Sequence, residues 1–560
     1  MEIFLGSDGS VSPEWLDEFT NVCTRCIPEF HTFLEEVSQN WEKDLDWWVS
    51  SFPSRNTFAS PLFYNLCGLV LAKDLVSIKK VDLVATDSVA IYAILFRLKL
   101  KYPNINVELR SSCTKYLKEI CHQIYSKWFD PLHHLSFWFW AKFTKPSKII
   151  SEEITLLSLF TLGKFDETKD RYFPNLLAQL TQSERNETYF LPVYSAYKNV
   201  SKFAIIKSLR SGERNFLLKE DFLKLNDYIY AFLFSFRSKK FLSKKIKWYE
   251  LEVTELLCKE YNNRGSFHTA QLGILHYRLM LRMKEKNMKF RSFINFFENQ
   301  VQDKGFNRGI WDFYPNAHHI GYVGYCPVTP FYLCTFPIEL EYRSRVIPKL
   351  LAVCGNGYPK SILRYFPKLP FQIAPLYRSD SIWNKNQKTH KTGFTILFTL
   401  SHLPQHYEYF ISVIKILLEN MPDVNVIVKP HPIISNFQKI HSDLNLHSQI
   451  KFEDVDIFCL LEKADVLFSS ASGTCVDALA RGVRVGILKI PNYLLHNPIP
   501  DSIPQGYWRI CNTISDVLTW ASEVRSLNDP NEPDWSFPIR RAFYEPVKRD
   551  STHKLLGYFN

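Results

Sequence analysis

Residues 424–432, VNVIVKPHP, open the part of the chain whose reading decides the fold. A run of mostly β-branched residues breaks off at Lys429-Pro430-His431-Pro432. Each proline lacks an N–H and restricts the residue before it, so the pattern predicts a strand ending in a stiff loop that carries His431. Downstream, IKFEDV (450–455) reads as a second short strand ending in acids, and residues 457–464 as a short helix. DVLFSS (465–470) is a third, buried strand running into Ala471-Ser472-Gly473-Thr474. CVDALARG has apolar residues at helical spacing with Gly482 where a helix stops, and VRVGILKI (483–490) is a fourth strand. Strands alternating with short helices imply a parallel α/β sheet, and in such sheets ligands bind beyond the carboxyl ends of the strands. His431 with Lys429 and Pro432, the pair Glu453 and Asp454, and the cluster Ser469, Ser470, Ser472, Gly473 and Thr474 all fall at such ends.

Residue type says what that edge binds. Hydroxyls and free N–H groups at a helix start favour an anion, His431 is a titratable donor for the same anion, and Glu453 or Asp454 can accept from ribose hydroxyls. The set describes a nucleotide-phosphate pocket. Taken singly, each feature also fits a helix cap or a loop filler.

KPHP, then an acid-terminated strand, then SSASGT resembles the donor domain of GT-B glycosyltransferases with an HP motif, over roughly residues 395–490. That group includes bacterial sialyltransferases, Kdo transferases and CDP-glycerol glycerophosphotransferases. The resemblance implies two Rossmann-like domains facing a central cleft. It also implies that His431 and the Ser/Thr cluster grip the donor phosphate, and that the donor is CMP- or CDP-linked. The implied acceptor is a surface glycan or lipid-linked glycan.

The 560 residues suffice for two or three domains. Hydrophobic content of 46% and charged content of 22% are those of a globular protein. A formal net charge of +11 favours anionic partners, and since no nucleic-acid motif stands out, phosphorylated donors or an anionic inner-membrane surface are expected instead. No apolar run reaches about 18 residues, and the twelve scattered cysteines complete no zinc pattern, so a cytoplasmic, thiol-reduced setting is expected.

Residues 1–360 read as one acceptor-side Rossmann-like domain with helical insertions, 361–393 as a linker, 394–530 as the nucleotide-sugar domain, and 531–560 as a tail returning to the first domain. In the first domain VDLVATDS (81–88) puts Asp87 at a strand end, and KFRSFINFFENQ (289–300) does the same for Glu298. Either is a candidate general base, with Asp87 ranked first on topology. Ser7-Asp8-Gly9 only partly matches the acidic-Gly motif from which sialyltransferases of this type take their base. In FTILFTLSHLP (394–404), Ser401 faces the donor edge. Between residues 115 and 150 lysines interleave with Trp128, Trp138 and Trp140, which fits either a membrane-interface segment or a buried helix with a basic outer side. The whole predicts an inverting, metal-independent glycosyltransferase without a resident cofactor, moving a CMP-linked sialic-acid-like or Kdo-like sugar. Polyol-phosphate transfer from CDP-glycerol, or a non-catalytic scaffold, are the alternatives.

Overall fold

The structure is a computed structural model. It describes every residue except 112, 147–148, 150, 167–169, 196–199, 243–244, 263, 327–330, 385–392, 402–405, 432–448, 471, 528–533 and 560. Three parallel sheets and one small hairpin organise it. β1 (Glu2–Leu5), β2 (Leu83–Thr86) and β3 (Asn106–Leu109) form a three-stranded sheet in that order. The central sheet takes β4 (Glu153–Leu162) and β5 (Thr188–Ser195). The hairpin β6 (Lys247–Trp248) and β7 (Leu251–Glu252) stands apart from it. Then come β8 (Lys289–Phe296), β9 (His318–Val323), β10 (Leu350–Val353) and β11 (Phe371–Ile373), and the central order is β11-β10-β9-β8-β4-β5. The third sheet has β12 (Thr395–Thr399), β13 (Asn425–Lys429), β14 (Ile450–Phe452), β15 (Val466–Ser469), β16 (Arg484–Leu488) and β17 (Trp508–Cys511), in the order β14-β13-β12-β15-β16-β17.

Counted from its own first strand, the last sheet has the order 3-2-1-4-5-6 of a dinucleotide-binding fold. The central sheet follows the same plan. Beyond β5, Phe190 bridges in parallel to Phe216, with Phe190 N–H donating to Asn215 O at 2.8 Å and Leu217 N–H to Phe190 O at 2.9 Å. That rudimentary strand makes the central order 3-2-1-4-5-6-7. Every residue of β12, β15 and β16 is buried, as expected of parallel strands covered on both faces. The expected fold class, α/β with two Rossmann-like domains in the GT-B manner, is the one observed.

The chain divides differently from the sequence reading in two places. Residues 1–360 hold two separate sheets, because β1–β3 pair only with one another. The stretch read as a linker contains β11, which pairs with β10 through Leu351–Phe371 to Val353–Ile373. Prolines on either side of β11 disguised a three-residue edge strand.

One hydrophobic core runs through both six-stranded units, joining Leu157 and Ile294 to Leu397, Leu467 and Val476. The last helices, Ser536–Phe543 and Arg549–Leu556, lie against the central sheet. Glu545 N–H donates to Cys354 O at 2.7 Å, and Ser292 Oγ donates to Leu556 O at 2.8 Å. The three-stranded unit is tied on by buried charge. Arg55, in left-handed backbone at φ 53°, donates to Leu333 O at 2.7 Å and Phe336 O at 2.9 Å, and pairs with Glu341 Oε2 at 2.7 Å. Lys304 reaches Glu341 Oε1 at 2.6 Å from the other side, and all three side chains are fully buried. Burial works against the Glu341 carboxylate, but Arg55 and Lys304 outweigh it and hold it below the ordinary range.

Removing one member of such a network strands the others without compensation. Glu341→Gln is expected to destabilise the fold by about 3–5 kcal/mol. Urea denaturation at neutral pH checks this through the first unfolding transition; a loss under about 1 kcal/mol would mean that the network is not what ties the units together.

Candidate functional site

In the last sheet the strand order reverses between β12 and β15, and the crevice beyond their carboxyl ends is where such sheets take ligands. β12 delivers Thr399 and Ser401 there, and β15 delivers Ser469 and Ser470. The four side chains are buried. His406, just ahead of the helix Tyr407–Asn420, brings an imidazole between the two strand ends and is 1% exposed. Its Nδ1 lies 3.1 Å from Ser401 Oγ and 3.4 Å from Ser470 Oγ. Ser469 Oγ donates to Thr399 O, and Thr399 Oγ1 has no partner among the described residues. Tyr493 covers His406 edge-on, ring centres 4.8 Å apart. A buried imidazole among hydroxyls at a switch point is a ready donor set for a phosphate oxygen.

The central sheet reverses between β4 and β8, and there a cavity of about 220 Å³ opens. It is lined by Ser158 and Phe160 of β4, Val193 of β5, Asn295 of β8, then Glu298 and Asp303. Glu298 follows the end of β8, and Asp303 lies in the first turn of the helix Val301–Phe313, where it accepts the Gln300 N–H at 2.9 Å. Burial raises Glu298 above the ordinary carboxylate range, with Arg378 and Gln300 opposing. Burial, reinforced by the charge of Glu298, pushes Asp303 up to about 8. Two carboxyl groups with raised pKa in one cavity are what proton transfer near neutrality needs.

The two carboxyl edges meet. Cys326, just past β9, packs on Gly473, where a Cβ would lie 3.3 Å from Cys326 Cβ. The neighbouring Tyr325 feels Glu298, which adds to burial in raising its phenol. Arg378, on the 3-10 helix Tyr377–Trp383, is exposed and is shown in no hydrogen bond or ion pair with the described residues. Its charge acts on Glu298 of the central unit and on Asp477 of the last one. Asp477 accepts from Tyr544 Oη at 2.8 Å, and burial raises it to about 6. Arg378 is thus a cation set between the two lobes.

The residues singled out from sequence fall into separate groups. Ser401 and Ser470 meet at His406. Ser472 donates to Thr474 Oγ1 at 3.0 Å and accepts the Thr474 N–H at 3.3 Å, so these two close their own loop, with Gly473 pinned between them by Cys326. Lys429 binds Val455 O at 2.6 Å and Asp454 at 3.4 Å, whereas Glu453 pairs with Lys463 at 3.2 Å. Both acids follow β14, the outer strand, two strands from the switch point. His431 is partly buried after β13, next to β12, and Pro432 lies outside the described residues. Asp87, ranked first as a base, ends β2 in the three-stranded sheet. It accepts Ser7 N–H at 2.6 Å and Ser7 Oγ at 3.1 Å, holding the Ser7–Asp8–Gly9 loop. The exposed Asp8 lies within electrostatic reach of Tyr493, which is raised by burial first and by Asp8 second.

His406, Asp303 and Arg378 were missed. Asp303 carried a signal, since Gln300 and Asp303 have the spacing of a reciprocal helix cap. His406 and Arg378 carried none, because Ser470 lies 64 positions from His406, and the acids on which the Arg378 charge acts belong to distant parts of the chain.

No family model matches the chain, and no curated protein does. Among solved structures it is similar to an S. aureus MnaA–UDP complex (10% identity, TM-score 0.43, covering 72% of this chain and 95% of that one). It is also similar to UDP-GlcNAc 2-epimerase from Neisseria meningitidis bound to UDP-GlcNAc (10%, 0.41, 72% and 98%) and to the wall teichoic acid polymerase TagF (8%, 0.39, 80% and 97%). At these identities and scores the likenesses say nothing about activity.

The raised Asp303 makes a stability prediction. Its folded pKa of about 8 lies above the ordinary value of 3.8, so between those values the folded state holds a proton that the unfolded state has lost. Stability from this group is full below about pH 4 and is lost as pH rises toward 8. Asp303→Asn keeps the cap acceptor and removes the titration. It should melt several degrees above wild type at pH 8 and close to wild type at pH 4.5; parallel curves at the two pH values would show that Asp303 is an ordinary carboxylate.

Proposed function

We propose that this chain is a GT-B glycosyltransferase that carries a sugar from a nucleotide donor to a glycan or lipid-linked glycan acceptor by an inverting, metal-independent route. The donor is CMP-linked and the sugar sialic-acid-like or Kdo-like. One observation supports this above the others: two Rossmann-ordered sheets bring their carboxyl edges together, one with the Ser401–His406–Ser470 cluster at its switch point and the other with the Glu298–Asp303 cavity.

In this reading the donor phosphate lies beyond β12 and β15, against His406, Ser470 and the neighbouring His431, and Arg378 closes on it from the other lobe. The acceptor hydroxyl enters the cavity. Glu298 takes its proton as the oxygen attacks the anomeric carbon. The bond from that carbon to the phosphate oxygen breaks and its electron pair leaves with the nucleotide. Donors placed for the leaving phosphate act mainly in the transition state. Asp303, protonated at neutral pH, keeps a second negative charge away from Glu298 while Glu298 is the base.

The test is nucleotide release from CMP-sugars and CDP-glycerol. CMP from a CMP-sugar supports the proposal, CMP from CDP-glycerol moves the attack to phosphorus, and silence with every donor favours a binding scaffold. With the active donor, Glu298→Gln is expected to lower kcat by about 10²-fold or more with nucleotide affinity unchanged. His406→Ala is expected to weaken nucleotide binding by about 1–3 kcal/mol in calorimetry. Because Glu298 is raised, the acid limb of the kcat profile should lie above the ordinary carboxylate range. Wild-type turnover in Glu298→Gln would remove it as the base.

A further inference from the structure

We propose that the helices flanking the outer edge of the central sheet form a docking face for an anionic lipid bilayer. This rests on the surface and does not depend on the reaction. The helix Cys113–Ala141 packs along the central unit, and the sequence left open whether its aromatic residues are core or surface. They are both. Phe137 is 2% exposed, and Trp138 donates its indole N–H to Leu223 O at 3.2 Å. Leu117, Ile124, Leu132 and Phe139 are each more than half exposed and recur at spacings that keep them on one side of the helix. Phe143, just beyond the helix, is 63% exposed. The neighbouring helix Leu225–Phe232 continues the pattern. Leu225, Ile229 and Leu233 are exposed at i, i+4 and i+8, and Phe236 follows at 54%. The contact between Trp138 and Tyr228 binds the two helices side by side. Large apolar side chains exposed in rows on adjacent helices mark an interaction site.

Charge says which partner covers it. Residues 113–150 contain six lysines against two acids, and residues 201–250 contain twelve Lys and Arg against five acids. The chain has 68 basic and 57 acidic residues, so these two segments carry its whole net charge of +11 and the rest is neutral. Lysines accompany the rings, with Lys142 Nζ 5.0 Å from the ring centre of the half-buried Trp138 and Lys239 Nζ 5.3 Å from that of the exposed Phe236. Exposed apolar rows bordered by lysines suit a headgroup layer, with rings at the acyl boundary and ammonium groups on lipid phosphates. Among the described residues no helix is long and apolar enough to cross a membrane, so the face would lie on the bilayer.

Phe137 packs on Tyr194 at the carboxyl end of β5, the strand that gives Val193 to the acid cavity. The helix that carries the docking face therefore packs, by its buried side, on the strand that also lines the cavity.

The experiment is flotation of the full chain with phosphatidylcholine vesicles, with and without about 30% phosphatidylserine, at low and high salt. Docking predicts flotation with the anionic vesicles only, lost at high salt. The triple variant Phe139→Ser, Ile229→Ser, Phe236→Ser should lower it about tenfold or more with an unchanged melting curve, since all three side chains are exposed. Should that variant misfold, Lys142→Glu with Lys145→Glu and Lys239→Glu reads the same face through charge. Absence of the wild type from anionic vesicles at low salt overturns the proposal. So does equal flotation of the variants, or a wild-type dimer that the triple variant turns into a monomer.

Discussion

The buried contact of Glu341 with Arg55 and Lys304 is the constraint on which the rest of the arrangement depends. It is the point where the three-stranded unit, the helix behind β8 and the loop before β10 are held to one geometry. Lys304 directly follows Asp303 on that helix, and Asn299 directly follows Glu298. Asn299 donates to Cys334 O at 2.8 Å and to Glu341 at 3.1 Å, in left-handed backbone at φ 54°. Asn56, next to Arg55, donates to Gln300 at 2.7 Å. The carboxyl groups of the cavity are thus carried on backbone that the ion network clamps from behind. A network of this kind gains little net stability over a well-packed apolar core, but it tolerates few alternative positions for its members.

Rigidity there matters because the cavity has to keep two carboxyl groups close in a poorly solvated place. Such groups lower their free energy by moving apart or by neutralising, and a pinned backbone leaves only the second course. The opposite lobe solves a different problem. Its switch point collects neutral hydroxyls around an imidazole, which costs little to bury and becomes favourable when an anion arrives. Gly473 against Cys326, and Arg378 between Glu298 and Asp477, are among the points where the two lobes meet.

The alternation of buried strands with helices was legible in the sequence because a parallel sheet covered on both faces demands long apolar runs, and the first five strands of the last sheet were read nearly to their ends, while β17 was not read. The three-stranded unit was not separated from the central sheet, since hydrophobic pattern reports that a strand is buried and says nothing of which neighbour it pairs with. β11 failed for a related reason: four residues between prolines give no period. Among the residues singled out, Ser401, Ser470 and Glu298 were placed just past strand ends, and the structure has them there. Ser472 and Thr474 were read as ligand donors, yet in the structure their hydroxyls satisfy one another, a choice that spacing alone does not settle. Asp87 also follows a strand end, that of β2, but in a different sheet. His406 sits between two strand ends only because the helix after β12 begins with it, a matter of tertiary placement.

The most direct test of the account is a crystal structure of the chain with CMP or CDP bound. The account predicts the phosphates beyond the carboxyl ends of β12 and β15, with an oxygen in hydrogen-bond reach of His406 or Ser470 and the Glu298 cavity left open for an acceptor. A nucleotide lodged in the Glu298 cavity, or at the edge of the three-stranded sheet beside Asp87, would contradict it.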